Sequence, residues 1–129
     1  MIRNILAVIV GLVVGNIAIM GLHYLGMVFY PLPEDVKMND MKAIAEYISI
    51  APRGSLLFVM FAHLGGTFIS GIFTTLVSKN IIPIYIIGSF FTLAGIYNLY
   101  MLPHPLWFNI EIIFYFPAAI YSHKLIHKQ

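Results

Sequence analysis

The sequence predicts an all-α protein: a four-helix transmembrane bundle with a short amphipathic surface helix after the first span. Three observations carry this expectation. Of 129 residues, 60% are hydrophobic and only 9% are charged, whereas soluble domains carry roughly 25% charged residues. The mean hydropathy is +0.92. Four apolar runs approach the ~20 residues that a helix needs to cross a bilayer, and prolines or polar residues separate them. The length suits one membrane domain over 1–129, with spans at about 4–30, 55–78, 82–102 and 106–122 and an extramembrane loop at 31–54.

The first run, Ile2 to Tyr30, outlasts the ~7–15-residue apolar region of a signal peptide, so it reads as a span. Gly11 and Gly15 form a GxxxG pair with Ala18 on the same face, a signal for close helix packing. Asn16, Met20, His23 and Met27 make a second stripe. Pro31 and Pro33 stop the helix. The following loop holds four of the five acids. Inside it, Met41, Ile44, Ala45 and Ile48 recur at helical spacing while Lys42 and Glu46 face away. This is an amphipathic helix capped by Asn39 or Asp40, on the membrane surface or across the bundle mouth.

The second span ends at Ser78 and is expected to start with Ser55 as its cap. Placed at about 100° per residue, His63, Gly66, Thr67, Ser70, Gly71, Thr74 and Ser78 share one side. Phe61, Phe68, Ile69, Ile72 and Leu76 share the other. Helices in lipid pack through small residues, so His63 falls on the protein face. Lys79 and Asn80 make a tight turn into the third span, which has Pro83 in its first turn and a small face of Gly88, Thr92 and Gly95. Leu102–Pro105 is a rigid turn. The fourth span, Leu106 to Tyr121, contains Pro117 and places Glu111, Tyr115, Ala118 and Ser122 on one side.

Depth brings the polar residues together. His63 and His23 each lie eight residues from a helix end, ~12 Å deep at 1.5 Å per residue; Glu111 and Asn98 lie ~8 Å deep. His104 sits in the turn. All five belong to one half of the membrane. They point to a one-sided ligand-binding pocket formed by His63, Glu111, His23, Asn98, His104 and Trp107. Ionisable groups at such depth are costly and mark function by default. The bland alternatives remain a neutral interhelical histidine, a polar contact at His23, and Trp107, Tyr24, Tyr97 and Tyr100 as interfacial anchors. Brought close, His63 and Glu111 would each favour the other's charged form.

The chain has no cysteine, which removes disulfides and thiol chemistry. No Gly-rich phosphate loop or GxSxG nucleophile motif appears. His63, His23, His104 and Glu111 are zinc-compatible types, but none pair at helical ligand spacing; only His123 and His127 do. That tail pair is expected to meet solvent or headgroups. No metal, cofactor or catalytic residue is therefore expected. The scattered basic residues make no nucleic-acid footprint. Four basic residues (Arg3, Lys79, Lys124, Lys128) flank one side and three (Lys37, Lys42, Arg53) the other, which puts both termini in the cytoplasm.

At AHLGG (Ala62 to Gly66) and NLYMLPHPLWF (Asn98 to Phe108) the chain resembles small bacterial four-span inner-membrane proteins of uncharacterised activity. They share a His-Leu-Gly stretch, a Pro-X-Pro acidic loop and a Leu-Pro-His-Pro turn before Trp. The resemblance implies a multi-pass inner-membrane protein and brings no substrate with it. The leading expectation is a non-enzymatic lipid- or ligand-binding protein or an accessory subunit, with membrane lipid, a homo-oligomer or a larger membrane complex as partners. The alternatives are an oligomeric transporter of protons, ions or a small solute, and a small membrane enzyme using His63 and Glu111 as acid and base.

Overall fold

A computed structural model describes residues 1–128. Among them the regular structure is all helical: α1 (Ile2–Phe29), α2 (Met41–Ile50), α3 (Arg53–Ser78), α4 (Ile81–Met101), a 3-10 turn (Leu106–Ile110) and α5 (Glu111–His127). Helices α1, α3 and α4 are long and apolar enough to cross a membrane. Their outward residues form an apolar girdle, including Ile5, Ile9, Val13, Phe61, Leu76 and Leu93. Such a surface suits hydrocarbon and would be an aggregation liability in water.

Several boundaries differ from the sequence expectation. α3 starts at Arg53, with Pro52 in the N-cap position and no side-chain cap, so Ser55 is inside the helix. The φ of −56° at Pro52 already directs the chain into the first turn. The last segment is not one helix from Leu106. The prolines at 103 and 105 deny it backbone donors, and Phe108 N–H bonds the Pro105 carbonyl at 2.9 Å in a three-residue turn. α5 then runs to His127, five residues beyond the expected end at 122. Asp40 rather than Asn39 caps α2, accepting from the N–H groups of Lys42 and Ala43 at 3.0 and 3.1 Å.

α3 is the central helix. It packs against α1, α4 and α5, with α1 as its most extensive neighbour. Lipid tails are as apolar as the side chains they surround, so close van der Waals packing replaces hydrophobic burial as the force joining helices. Two ridges of small residues on α3 supply it. Gly66, Ser70 and Thr74 receive Gly11 and Gly15 of α1. A Cβ on Gly15 would lie 2.7 Å from Ser70 Cβ, and one on Gly66 would lie 2.9 Å from the Gly15 carbonyl and collide with Ile19. On the second ridge, Gly71 lies against Ala119 and Ser122 of α5. Gly88 of α4 accommodates the ring of Phe116, and Ile84, Ile87, Phe91, Tyr115 and Ala119 form the apolar core.

Both ends of the chain lie at the α3–α4 turn. Arg3 Nε donates to the Val77 carbonyl at 2.6 Å, Ser78 Oγ to Asn4 Oδ1 at 2.7 Å, and His127 Nε2 to the Lys79 carbonyl at 2.9 Å. Lys79 closes α3 in the left-handed region at φ 55°. Asn80 is spared that conformation because its side chain caps α4, accepting from Ile82 N–H at 3.0 Å.

Gly66→Leu forces α1 and α3 apart and is expected to destabilise the protein by at least about 1–3 kcal/mol, the usual cost of overpacking. Phe61→Ala removes an outward ring that is 68% exposed and is expected to change stability by no more than about 0.5 kcal/mol. Thermal unfolding of both variants in detergent checks the assignment of faces.

Candidate functional site

A cavity of about 260 Å³ lies at the end of the bundle away from the termini, between α1, α3 and α4 and beneath α2. Its walls are largely apolar: Met27, Leu56, Phe58, Val59, Ile44 and Ile48 all line it. His23, His63, Asn98 and His104 supply the polar groups. α2 therefore crosses the bundle mouth, with Ile44, Tyr47 and Ile48 facing inward and Lys42 and Glu46 in solvent. Met41, expected on the inner face, is 51% exposed.

His63 connects this cavity to a buried acid. Its Nδ1 is 3.2 Å from Glu111 Oε2 and 3.2 Å from the Tyr115 hydroxyl. One ring nitrogen cannot serve both as donor and as acceptor. With a proton on Nδ1 it donates to the Glu111 carboxylate. Without one, it accepts the Tyr115 O–H. The proton position and the choice of partner thus change together. Because Nδ1 is occupied in either case, Nε2 is the edge left for other partners. The His23 ring stands beside that of His63, with centroids 5.2 Å apart.

Two polar atoms here take no hydrogen bond from any described residue, His23 Nε2 and Glu111 Oε1, and both are buried. Native interiors leave few such groups, and those that occur ask for a polar partner or a functional reason. Glu111 itself is fully buried. It does not line the cavity as expected but sits behind His63, because it opens α5 one helix layer further back. Trp107 also departs from the expected pocket. In the 3-10 turn Phe108 points inward and is fully buried while Trp107 points out. It packs edge-on against Phe108 at 5.8 Å and lines a separate surface cleft with Arg53 and His104.

His104 borders both spaces. Its Nδ1–H donates to the Leu102 carbonyl at 3.0 Å, and its ring stacks on Phe108 at 4.4 Å. Burial holds its pKa below the ordinary histidine value, with a smaller push the same way from His63, while the Leu102 bond and Glu111 oppose it. It is thus neutral at pH 7, with Nε2 as an acceptor.

Sequence reasoning placed Tyr115 on the Glu111 side of its helix but not in the site. The available signal was its i+4 spacing from the one carboxylate in an otherwise apolar segment. Of the tail histidines, His123 falls elsewhere than expected. His123 is buried and its Nδ1 lies 3.0 Å from Thr75 Oγ1. That hydroxyl already donates to the Gly71 carbonyl at 2.8 Å, so it accepts from His123. His127 bonds the end of α3. His123 anchors α5 from inside the bundle, whereas His127 is exposed as expected. Among the described residues no group of three or more His, Asp or Glu is placed to hold a metal ion.

Removing either member of the His63–Glu111 pair strands the other, which for buried pairs costs about 3–5 kcal/mol. His63→Leu and Glu111→Leu are each expected to lower thermal stability strongly in detergent. The double variant is expected to recover more than about 1 kcal/mol relative to the sum of the two. An additive double variant would show that the two side chains do not interact.

No family model matches the chain, and neither the curated proteins nor the solved structures contain a match.

Proposed function

We propose that the protein is a four-span protein of the bacterial inner membrane that binds a small amphiphile or lipid, without catalysing a reaction, alone or as the ligand-binding subunit of a larger membrane complex. The cavity carries this reading. Its apolar walls suit a hydrocarbon portion, and His23 and His63 at its inner end suit a polar head group that bonds imidazole nitrogen. α2 covers the mouth, where a ligand would enter from the loop side.

The opposite half of the bundle favours binding over transport. A route across the membrane needs free polar groups along its length. Thr74, Thr75 and Ser122 already donate to the Ser70, Gly71 and Ala119 carbonyls, and the buried Ser70 Oγ, which has no partner among the described residues, is a single group rather than a row of them. One observation favours a second reading. His63 Nδ1, 3.2 Å from both Glu111 Oε2 and the Tyr115 hydroxyl, sits in an acid–base arrangement, which would serve a small membrane enzyme if the ligand carried a reactive bond.

Native mass spectrometry of the protein with its co-purifying lipids tests the binding reading. One retained amphiphile per chain is expected. Val59→Trp, which fills the cavity, is expected to lose it without lowering the melting temperature of the lipid-free protein. A wild-type protein that retains nothing and binds no amphiphilic probe would sink the proposal. The topology is tested separately. In this cysteine-free chain, Asn39→Cys and Lys128→Cys are expected to label from opposite sides of the membrane, Lys128→Cys from the cytoplasm. Labelling of both from one side would remove the four-span arrangement.

A further inference from the structure

Asn16 lies midway along α1, about 20 Å from either end at 1.5 Å per residue. It is exposed on the outward surface, in one stripe with Ile5, Ile9 and Met20, each more than half exposed. Its one hydrogen bond to a described residue is local: Nδ2 donates to the Leu12 carbonyl of its own helix at 2.8 Å. Oδ1 and the second amide N–H have no partner. The sequence places Asn16 in one stripe with His23 and Met27; at the loop end that stripe lines the cavity, whereas at Asn16 it is exposed.

Outward apolar residues on a membrane helix need no explanation, whereas an outward amide at the bilayer centre does. Hydrocarbon offers nothing to its unpaired groups. A long basic side chain near a helix end can reach the headgroups, but the short Asn16 side chain at this depth cannot. Interhelical hydrogen bonds from asparagine are among the contacts that join membrane helices. Some other helix must therefore meet α1 here, and no described helix of the same chain does.

We infer that the partner is a second copy of this chain, joined through the outward face of α1 by a reciprocal Asn16–Asn16 amide pair. Membrane insertion orients all copies alike, so the two-fold axis of a dimer runs along the membrane normal. A mid-depth residue on that axis faces its own counterpart. An amide is self-complementary, because the N–H of each copy donates to the Oδ1 of the other. This satisfies both orphaned groups at once with no third component. Ile9 and Met20, above and below, supply the packing on either side. The contact is independent of the cavity, which opens at the loop end of the bundle.

Disulfide cross-linking in liposomes tests this, with no native thiol to interfere. Ile9→Cys and Met20→Cys are each expected to give at least tenfold more cross-linked dimer than Leu93→Cys on the outward face of α4. Adding Asn16→Leu to Met20→Cys is expected to cut the dimer at least tenfold, and Asn16→Gln to retain most of it. Because Asn16 points outward, Asn16→Leu leaves helicity and monomer melting unchanged, which excludes misfolding as the cause. Yields at Ile9 and Met20 no higher than at Leu93 would overturn the inference, as would a dimer indifferent to Asn16→Leu. Cross-linking of Met20→Cys to a different membrane protein in native membranes, with no homodimer in purified liposomes, would overturn it in favour of a heterologous partner.

Discussion

The arrangement depends on a ladder of polar contacts between α3 and α5. His63 meets Glu111, Thr75 meets His123, and the Lys79 carbonyl receives His127. Each pair is separated by 48 residues. A constant offset means that the two helices run parallel and in a single register over the whole contact. Apolar helices in lipid can slide or rotate against each other at little cost, because any greasy surface is as well solvated as another. Three polar pairs at fixed spacing remove that freedom. A slip of one residue breaks all three, leaving buried polar groups unpaired.

With α5 so placed, the rest of the site follows. Glu111 is held behind His63 and turns its Nδ1 edge away from the cavity. The close packing of α1 on the Gly66–Ser70–Thr74 ridge brings His23 beside the His63 ring. At the other end the same packing closes the bundle: small residues leave no space, and threonine hydroxyls are absorbed by their own helices. The cavity opens at the loop end, where Phe58, Met27 and Leu56 line it beside Gly26. The one-sidedness of the cavity follows from the distribution of small residues along α1 and α3.

Much of this was legible because helical periodicity encodes face and depth. The buried row Gly66, Thr67, Ser70, Gly71, Thr74 and Ser78 follows directly from the 3.6-residue repeat, and counting rise per residue placed His23, His63, Asn98, His104 and Glu111 at one end. The failures occur where the period or the rotation of a helix cannot be read locally. Between Pro105 and Glu111 the chain advances three residues per turn, so the inward position passes from Trp107 to Phe108. Tyr115 joins His63 only because α5 is rotated against α3, which no single helix reveals. His123, next to a lysine in a terminal segment, reads as solvent-facing, yet it is buried against Thr75; His127 is exposed as read, and its bond to the Lys79 carbonyl leaves no trace in a sequence.

A final constraint concerns how this apolar bundle tolerates a fully buried glutamate. Glu111 is the first residue of α5, but α5 continues the 3-10 turn without a break, and the Glu111 N–H already bonds the Phe108 and Asn109 carbonyls. His63 approaches from the adjacent helix. A carboxyl group is thus placed against an imidazole, while Oε1 has no partner among the described residues. Structural need alone would be met by glutamine, which would hydrogen-bond His63 without a charge to desolvate. Glutamine, however, cannot exchange a proton with imidazole. With a carboxyl at 111, Nδ1 of His63 can donate to Glu111 or accept from Tyr115, which leaves Nε2 an acceptor or a donor accordingly. The cost of burying the acid is met at the contact between Glu111 Oε2 and His63 Nδ1.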